Sequence, residues 1–138
     1  MASVDVYKLE EKARQLGRPF RVLIVDDEKW VRDVFRDFCR LTDAFEVDLA
    51  NSGAEAIEKA KTFRYDLITM DLIMPEVSGL EAVTAIKEFS SGVPIIVITG
   101  NATDSLVHRA GVEGACRVLY KPVMLEDFVA AITSTLVR

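Results

Sequence analysis

Two cysteines, one histidine, four prolines and one tryptophan in 138 residues remove several possibilities before any pattern is read. Cys39 and Cys116 lie far apart, without metal spacing or the density of a disulfide framework, and read as reduced, structural thiols. The lone His108 falls in a weakly helical stretch and reads as a surface residue, not as a phosphorelay histidine on a long helical bundle. No apolar run approaches the ~20 residues of a membrane span, the longest lying around Val22–Val25 and Pro94–Ile98. The N-terminal stretch is not signal-like, because Asp5, Lys8, Glu10 and Glu11 interrupt it, so no secretory leader is expected there. Basic charge is in deficit: 17 Lys and Arg against 22 Asp and Glu leave −5, which argues against a general nucleic-acid binder. Neither G-x-x-x-x-G-K-[ST] nor G-x-G-x-x-G occurs, so no nucleotide-binding glycine loop is encoded. What is left is an acidic, soluble, cytoplasmic protein with one main domain and about twenty residues to spare.

Half of the residues are hydrophobic, enough for a sizeable core. From residue 21 onward, short apolar runs alternate with longer helical patterns. Val22–Val25 reads as a buried strand that stops at Asp26-Asp27, and Val31, Val34, Phe35, Phe38 and Leu41 follow at helical spacing. Val47 and Leu49 mark a second strand, and Ser52 with Glu55 reads as a capping box opening a helix over Ala54–Lys61. Leu67–Met70 is a third strand, ending at Asp71. Pro75 and Gly79 break the loop before a helix carrying Leu80, Val83, Ile86 and Phe89. Pro94–Thr99 forms a fourth strand, 102–110 a weaker helix, Val118–Tyr120 a fifth strand and Leu125–Leu136 a closing helix. Such a βα repeat favours a parallel sheet covered on both faces. Right-handed crossovers cover both faces only if the winding reverses once, and ligands bind beyond the carboxyl ends of strands at that point.

Residues 1–19 form a separate helical extension ahead of a domain over 20–138. Val6, Leu9, Ala13, Leu16 and Phe20 repeat at spacings of three and four, with Pro19 ending the helix. Two readings stand open: a helix packed on its own domain or a loose leader, and a self-association or docking helix.

Asp26, Asp27, Asp71, Thr99 and Lys121 all fall at carboxyl ends of strands, although each alone reads as an ordinary cap, loop hydroxyl or solvated turn. Together they suit phosphoryl transfer to an aspartate. Three carboxylates in one crevice call for a divalent cation, and all-oxygen ligation suits Mg²⁺. Asp71 then serves as the nucleophile, with Lys121 and Thr99 on phosphoryl oxygens and Gly100 leaving space for the group.

Val25-Asp26-Asp27-Glu28, Met70-Asp71-Leu72-Ile73-Met74-Pro75 with Gly79, Ile98-Thr99-Gly100 and Tyr120-Lys121-Pro122 resemble the signatures of a response-regulator receiver domain of the chemotaxis-regulator type. The resemblance implies a flavodoxin-like, doubly wound sheet of five parallel strands in the order 2-1-3-4-5. It also implies Mg²⁺ held by Asp26, Asp27, Asp71 and the Ile73 backbone carbonyl, with Asp71 as phospho-acceptor for a sensor histidine kinase or phosphotransfer protein. Thr99 and Lys121 would sense the phosphoryl group, and Ile73, Gly100 and Asn101 would border it. An aromatic switch residue often precedes the lysine by three positions, but here that position is Val118, with Tyr120 on the same strand face as a partial substitute. An apolar Ile73 cannot orient an attacking water, so slow self-dephosphorylation is expected. Residues 101–138 would be the output face for an unknown downstream protein. No helix-turn-helix pattern is present, so no DNA-binding output, no nucleic acid and no membrane insertion are expected, in a monomer or weak homodimer. The alternative class, a haloacid-dehalogenase-type phosphohydrolase, looks for a second acid two residues after the nucleophile, where this chain has Ile73.

Overall fold

A computed structural model describes the backbone of residues 2–137 and the side chains of residues 6–137. The elements run α1 (Ala2–Leu16), β1 (Phe20–Val25), α2 (Lys29–Cys39), β2 (Phe45–Ala50), α3 (Gly53–Thr62), β3 (Leu67–Met70), α4 (Gly79–Phe89), β4 (Ile95–Thr99), α5 (Asp104–Val112), β5 (Arg117–Tyr120) and α6 (Leu125–Leu136). All strand pairs are parallel, in the order β2-β1-β3-β4-β5. The flavodoxin-like order expected from the resemblance is the one observed. No helix among the described residues is long and apolar enough to cross a membrane.

The sheet explains why three of the strands are continuous apolar runs. β3 and β4 are buried at every position, and β1 at all but Arg21, because helices cover both faces. Leu23, Val25, Ile68, Met70 and Ile95 face Ala56 of α3 and Ala82, Val83 and Ile86 of α4. Their neighbours Val22, Ile24, Leu67, Ile96 and Ile98 face the other way, onto Val31, Phe35 and Cys39 of α2 and Phe128, Ala131 and Ile132 of α6. This alternation is the two-residue period of a strand. The Phe35 and Phe128 rings stack 5.0 Å apart and nearly parallel, joining α2 to α6.

Several sequence expectations need correction. The α2 helix stops at Cys39, so Leu41, counted in its apolar stripe, is exposed, and Val34 also lies outside; Cys39 fills the buried position instead. Phe89 ends α4 on the exposed side. Cys116, read as structural, is exposed. At α3 the capping box is half formed: the Ser52 hydroxyl accepts from the Glu55 N–H, but the Glu55 carboxylate accepts from Asn51 N–H. The complete box is at α4, between Ser78 and Glu81.

The N-terminal helix packs on its own chain. Leu9 and Ala13 form a buried cluster with Phe20 and Ala44, against Leu136 and Val137 at the end of α6. Leu16, placed in the same stripe, is exposed. Gly17, at φ +78°, terminates the helix before Pro19: Arg18 N–H reaches the Ala13 carbonyl and Gly17 N–H that of Arg14. That is the paired bonding of a Schellman stop, which a left-handed glycine permits.

Candidate phosphoryl-acceptor site

Asp26, Asp27, Asp71, Thr99 and Lys121 lie at or just beyond the carboxyl ends of their strands, on one edge of the sheet. β1 delivers Asp26 and Asp27, β3 Asp71, β4 Thr99 and β5 Lys121. Carboxylate oxygens of Asp26, Asp27 and Asp71 lie within 4.8 Å of one another. Asp26 and Asp71 are buried, while Asp27 is exposed. The Lys121 ammonium bridges the buried pair, donating to Asp26 Oδ2 at 2.7 Å and Asp71 Oδ2 at 3.2 Å. Backbone N–H groups fix the remaining oxygens: Glu28 N–H donates to Asp26 Oδ1 at 2.9 Å, and Ile73 N–H to Asp71 Oδ1 at 3.1 Å.

Burial holds the Asp71 carboxyl above the usual carboxylate range, and the nearby Asp26 charge pushes the same way. The Ile73 N–H and the Lys121 ammonium oppose that rise without cancelling it. Burial also works against the charged form of Lys121, but its bond to Asp26 and the charge of Asp71 outweigh it and hold the ammonium above its ordinary value. Two acids sharing one ammonium leave an uncompensated negative charge, and the exposed Asp27 adds another. Hard oxygen donors with that surplus fit Mg²⁺.

Thr99 is fully buried, and its Oγ1 has no hydrogen-bond partner among the described residues. A buried hydroxyl without a partner is costly and calls for an explanation. A Cβ at Gly100 would touch the Lys121 side chain at 3.7 Å, an ordinary contact, so glycine is not sterically demanded there. Gly79 is: a Cβ would lie 2.0 Å from the Asp71 carbonyl oxygen. Gly79 N–H also donates to the Leu72 carbonyl, so the start of α4 lies directly against the Asp71 loop. The sequence marks Gly79 as a loop breaker and as part of the receiver signature, but not this close approach to the Asp71 carbonyl.

Ile73 is exposed beside Asp71, and Asn101 is exposed beyond β4. Val118 is half-buried against the cluster of Leu72, Leu80, Val97 and Ala110. Tyr120, in register with Thr99, is 58% exposed. Arg32 was missed: its Nη1 donates to the Asp26 backbone carbonyl at 2.6 Å. Its sequence signal is a cation near the start of a helix with no acid in its first turn, where the helix dipole disfavours positive charge.

Comparison with known proteins agrees with this arrangement. Residues 22–133 match the family described as the response regulator receiver domain. Chemotaxis protein CheY of Halobacterium salinarum is 36% identical over 117 residues, covering 84% of this chain and 96% of that protein. CheY of Bacillus subtilis is 37% identical over 117 residues, covering 84% and 97%. Among solved structures, the CheX–CheY–BeF3–Mg²⁺ complex from Borrelia burgdorferi superposes with a TM-score of 0.84 at 28% identity, over 91% of this chain and 95% of that one. Fold, edge placement and sequence match agree: the chain belongs to the response-regulator receiver domain family.

Proposed function

We propose that this chain is the phospho-accepting receiver of a two-component system, in which Asp71 takes a phosphoryl group from a sensor histidine kinase or a phosphotransfer protein in a Mg²⁺-dependent reaction. The observation that carries this reading is a buried Asp71 carboxylate facing one shared ammonium, with a buried Thr99 hydroxyl, without a partner among the described residues, at the end of the adjoining strand. An Asp71 oxygen attacks phosphorus while the bond to the donor's imidazole nitrogen breaks, and the nitrogen leaves with the electron pair. Asp26, Asp27, Asp71 and the Ile73 carbonyl would hold Mg²⁺, which when bound neutralises charge on the phosphoryl oxygens. Lys121 gives up its bond to Asp71 for a phosphoryl oxygen, and Thr99 Oγ1 donates to another. The similar structure from Borrelia burgdorferi is a complex with BeF3 and Mg²⁺, which supports a Mg²⁺-dependent phosphoryl site in this fold.

Added phosphoryl charge beside Thr99 and Lys121 biases the 101–138 face, made of α5, β5 and α6, between two states for docking a downstream protein. Val118 rules out an aromatic swing at its own position, and the outward Tyr120 is the secondary switch. The protein acts in the cytoplasm as a signalling partner and not as a turnover enzyme. Ile73 offers no polar group to an attacking water, so the acyl phosphate is lost slowly.

Incubation with Mg²⁺ and a small acyl-phosphate donor should add one phosphoryl group by intact mass, and chelation should prevent it. An adduct that survives in Asp71→Asn, or none in the wild type, overturns the assignment. Ile73→Asn should shorten the phosphoryl half-life; an unchanged half-life counts against the role given to Ile73.

A further inference from the structure

We infer that Arg32 is a positioning residue for the acidic site, holding the Asp26–Asp27 peptide by its hydrogen bond to the Asp26 carbonyl so that the Mg²⁺-binding carboxylates converge. The inference rests on the reading of Asp26, Asp27 and Asp71 as a Mg²⁺ site.

The sheet stops supporting the chain at this point. Asp26 N–H still donates to the Ala50 carbonyl, and Val25 O still accepts from Asp71 N–H. β2 ends at Ala50, however, and the Asp26 carbonyl is instead reached by the Arg32 guanidinium at 2.6 Å. The orientation of that carbonyl sets the peptide plane between the two aspartates, and with it the direction in which both side chains leave the backbone. A guanidinium is a rigid, permanently charged fork, suited to fixing a geometry.

The placement of Arg32 is unfavourable unless it has such a task. Four later helices each carry acid in the first turn: Glu55 in α3, Glu81 in α4, Asp104 in α5, and Glu126 with Asp127 in α6. α2 has none, and opens with Lys29 and then Arg32 instead. Cations there oppose the helix dipole. Lys29 turns away to Asp33 at 2.7 Å, whereas Arg32 reaches back to the strand end. A local rule broken beside a specific contact is the mark of a functional position.

Charge and positioning predict opposite signs. As a plain positive charge near three carboxylates, Arg32 competes with Mg²⁺, and its removal tightens the metal. As the clamp on the Asp26 carbonyl, its removal loosens the carboxylate geometry and weakens the metal. Supporting groups around metal ligands are typically worth about 10-fold or more in affinity.

The test is calorimetric titration of the full chain with MgCl2, with folding checked by circular dichroism. Arg32→Met should weaken Mg²⁺ binding about ten-fold, and Arg32→Lys, which keeps reach and a charged donor, should recover most of it. Saturating Mg²⁺ should return the phosphorylation rate of Arg32→Met to that of the wild type. Unchanged or tighter binding in Arg32→Met overturns the inference. Should that variant fail to fold, Arg32→Gln, too short to reach the carbonyl, must show the same weakening, and wild-type affinity there overturns the inference equally. A wild type that neither binds Mg²⁺ nor takes a phosphoryl group removes the functional reading and this one with it. A wild type that does both, matched by Arg32→Met at every Mg²⁺ concentration, removes only the role of Arg32.

Discussion

Asp66 and Asp71 stand at opposite ends of β3, each beside a basic side chain, and they behave as different chemical species. Asp66, at the amino-terminal edge, is satisfied. Arg18 donates to both of its oxygens at 2.8 and 3.1 Å, and the Arg21 N–H adds a third bond at 2.7 Å. Partial burial works against its charged form, but the Arg18 and Arg21 bonds outweigh that and hold its carboxyl below the ordinary range. Asp71 is more deeply buried, shares its ammonium with a second acid, and is held above that range. The same residue type is a tie where the donors outnumber the charge and, on the proposed reading, a phosphoryl acceptor where they do not. The acidic site thus has a deficit of compensation, which a bound Mg²⁺ would fill.

Exchanging the two acids in turn breaks the comparison most sharply. Asp71→Asn should lose phosphoryl uptake altogether, while Asp66→Asn should keep it; equal loss in both would show that the ends are not distinct. Next in size is Gly79→Ala, where the added methyl meets the Asp71 carbonyl oxygen. We expect a loss of about 2 kcal/mol or more in urea unfolding, from overpacking against backbone. Asp66→Asn should cost about 1–2 kcal/mol through its lost charged hydrogen bonds. Because its carboxyl is lowered in the folded state, that stabilisation is present above the unfolded value and disappears as pH falls through the folded one, below about pH 4. The smallest effect has the opposite sign. Without Mg²⁺ at neutral pH, Asp71→Asn should slightly raise the melting temperature, since a raised carboxyl favours the fold only while protonated and loses that contribution as pH rises through its folded value. The difference should close as pH falls toward about 4; a lower melting temperature at neutral pH would contradict the account of Asp71.

The carboxyl-edge acids were legible in the sequence because buried parallel strands are written as unbroken β-branched runs. Whatever follows Val25, Met70, Thr99 or Tyr120 must emerge at the same edge. Helix faces were less legible. Spacing alone counted Leu41 and Leu16 as core, since apolar periodicity carries no mark for a helix that has already stopped at Cys39 or that Gly17 is about to close. Arg32, and the steric role of Gly79, escaped for another reason. Their roles lie in contacts with backbone carbonyls of Asp26 and Asp71, and a carbonyl has no letter in a sequence.

The all-parallel order has a consequence for the way the molecule comes into being. Among the described residues no hairpin joins neighbouring strands: β1 pairs with β3 by bringing Val22 beside Leu67, and Thr99 pairs with Tyr120 across the crossover that carries α5. Parallel pairing of this kind is non-local, and non-local contacts slow folding. Lys121 follows the last strand in the chain, so a copy with β5 detached presents Asp26 and Asp71 without the ammonium between them. On the proposed reading, the acceptor acid and the ammonium that faces it meet only where β5 is in place, so the completeness of the sheet and the composition of the site are one condition.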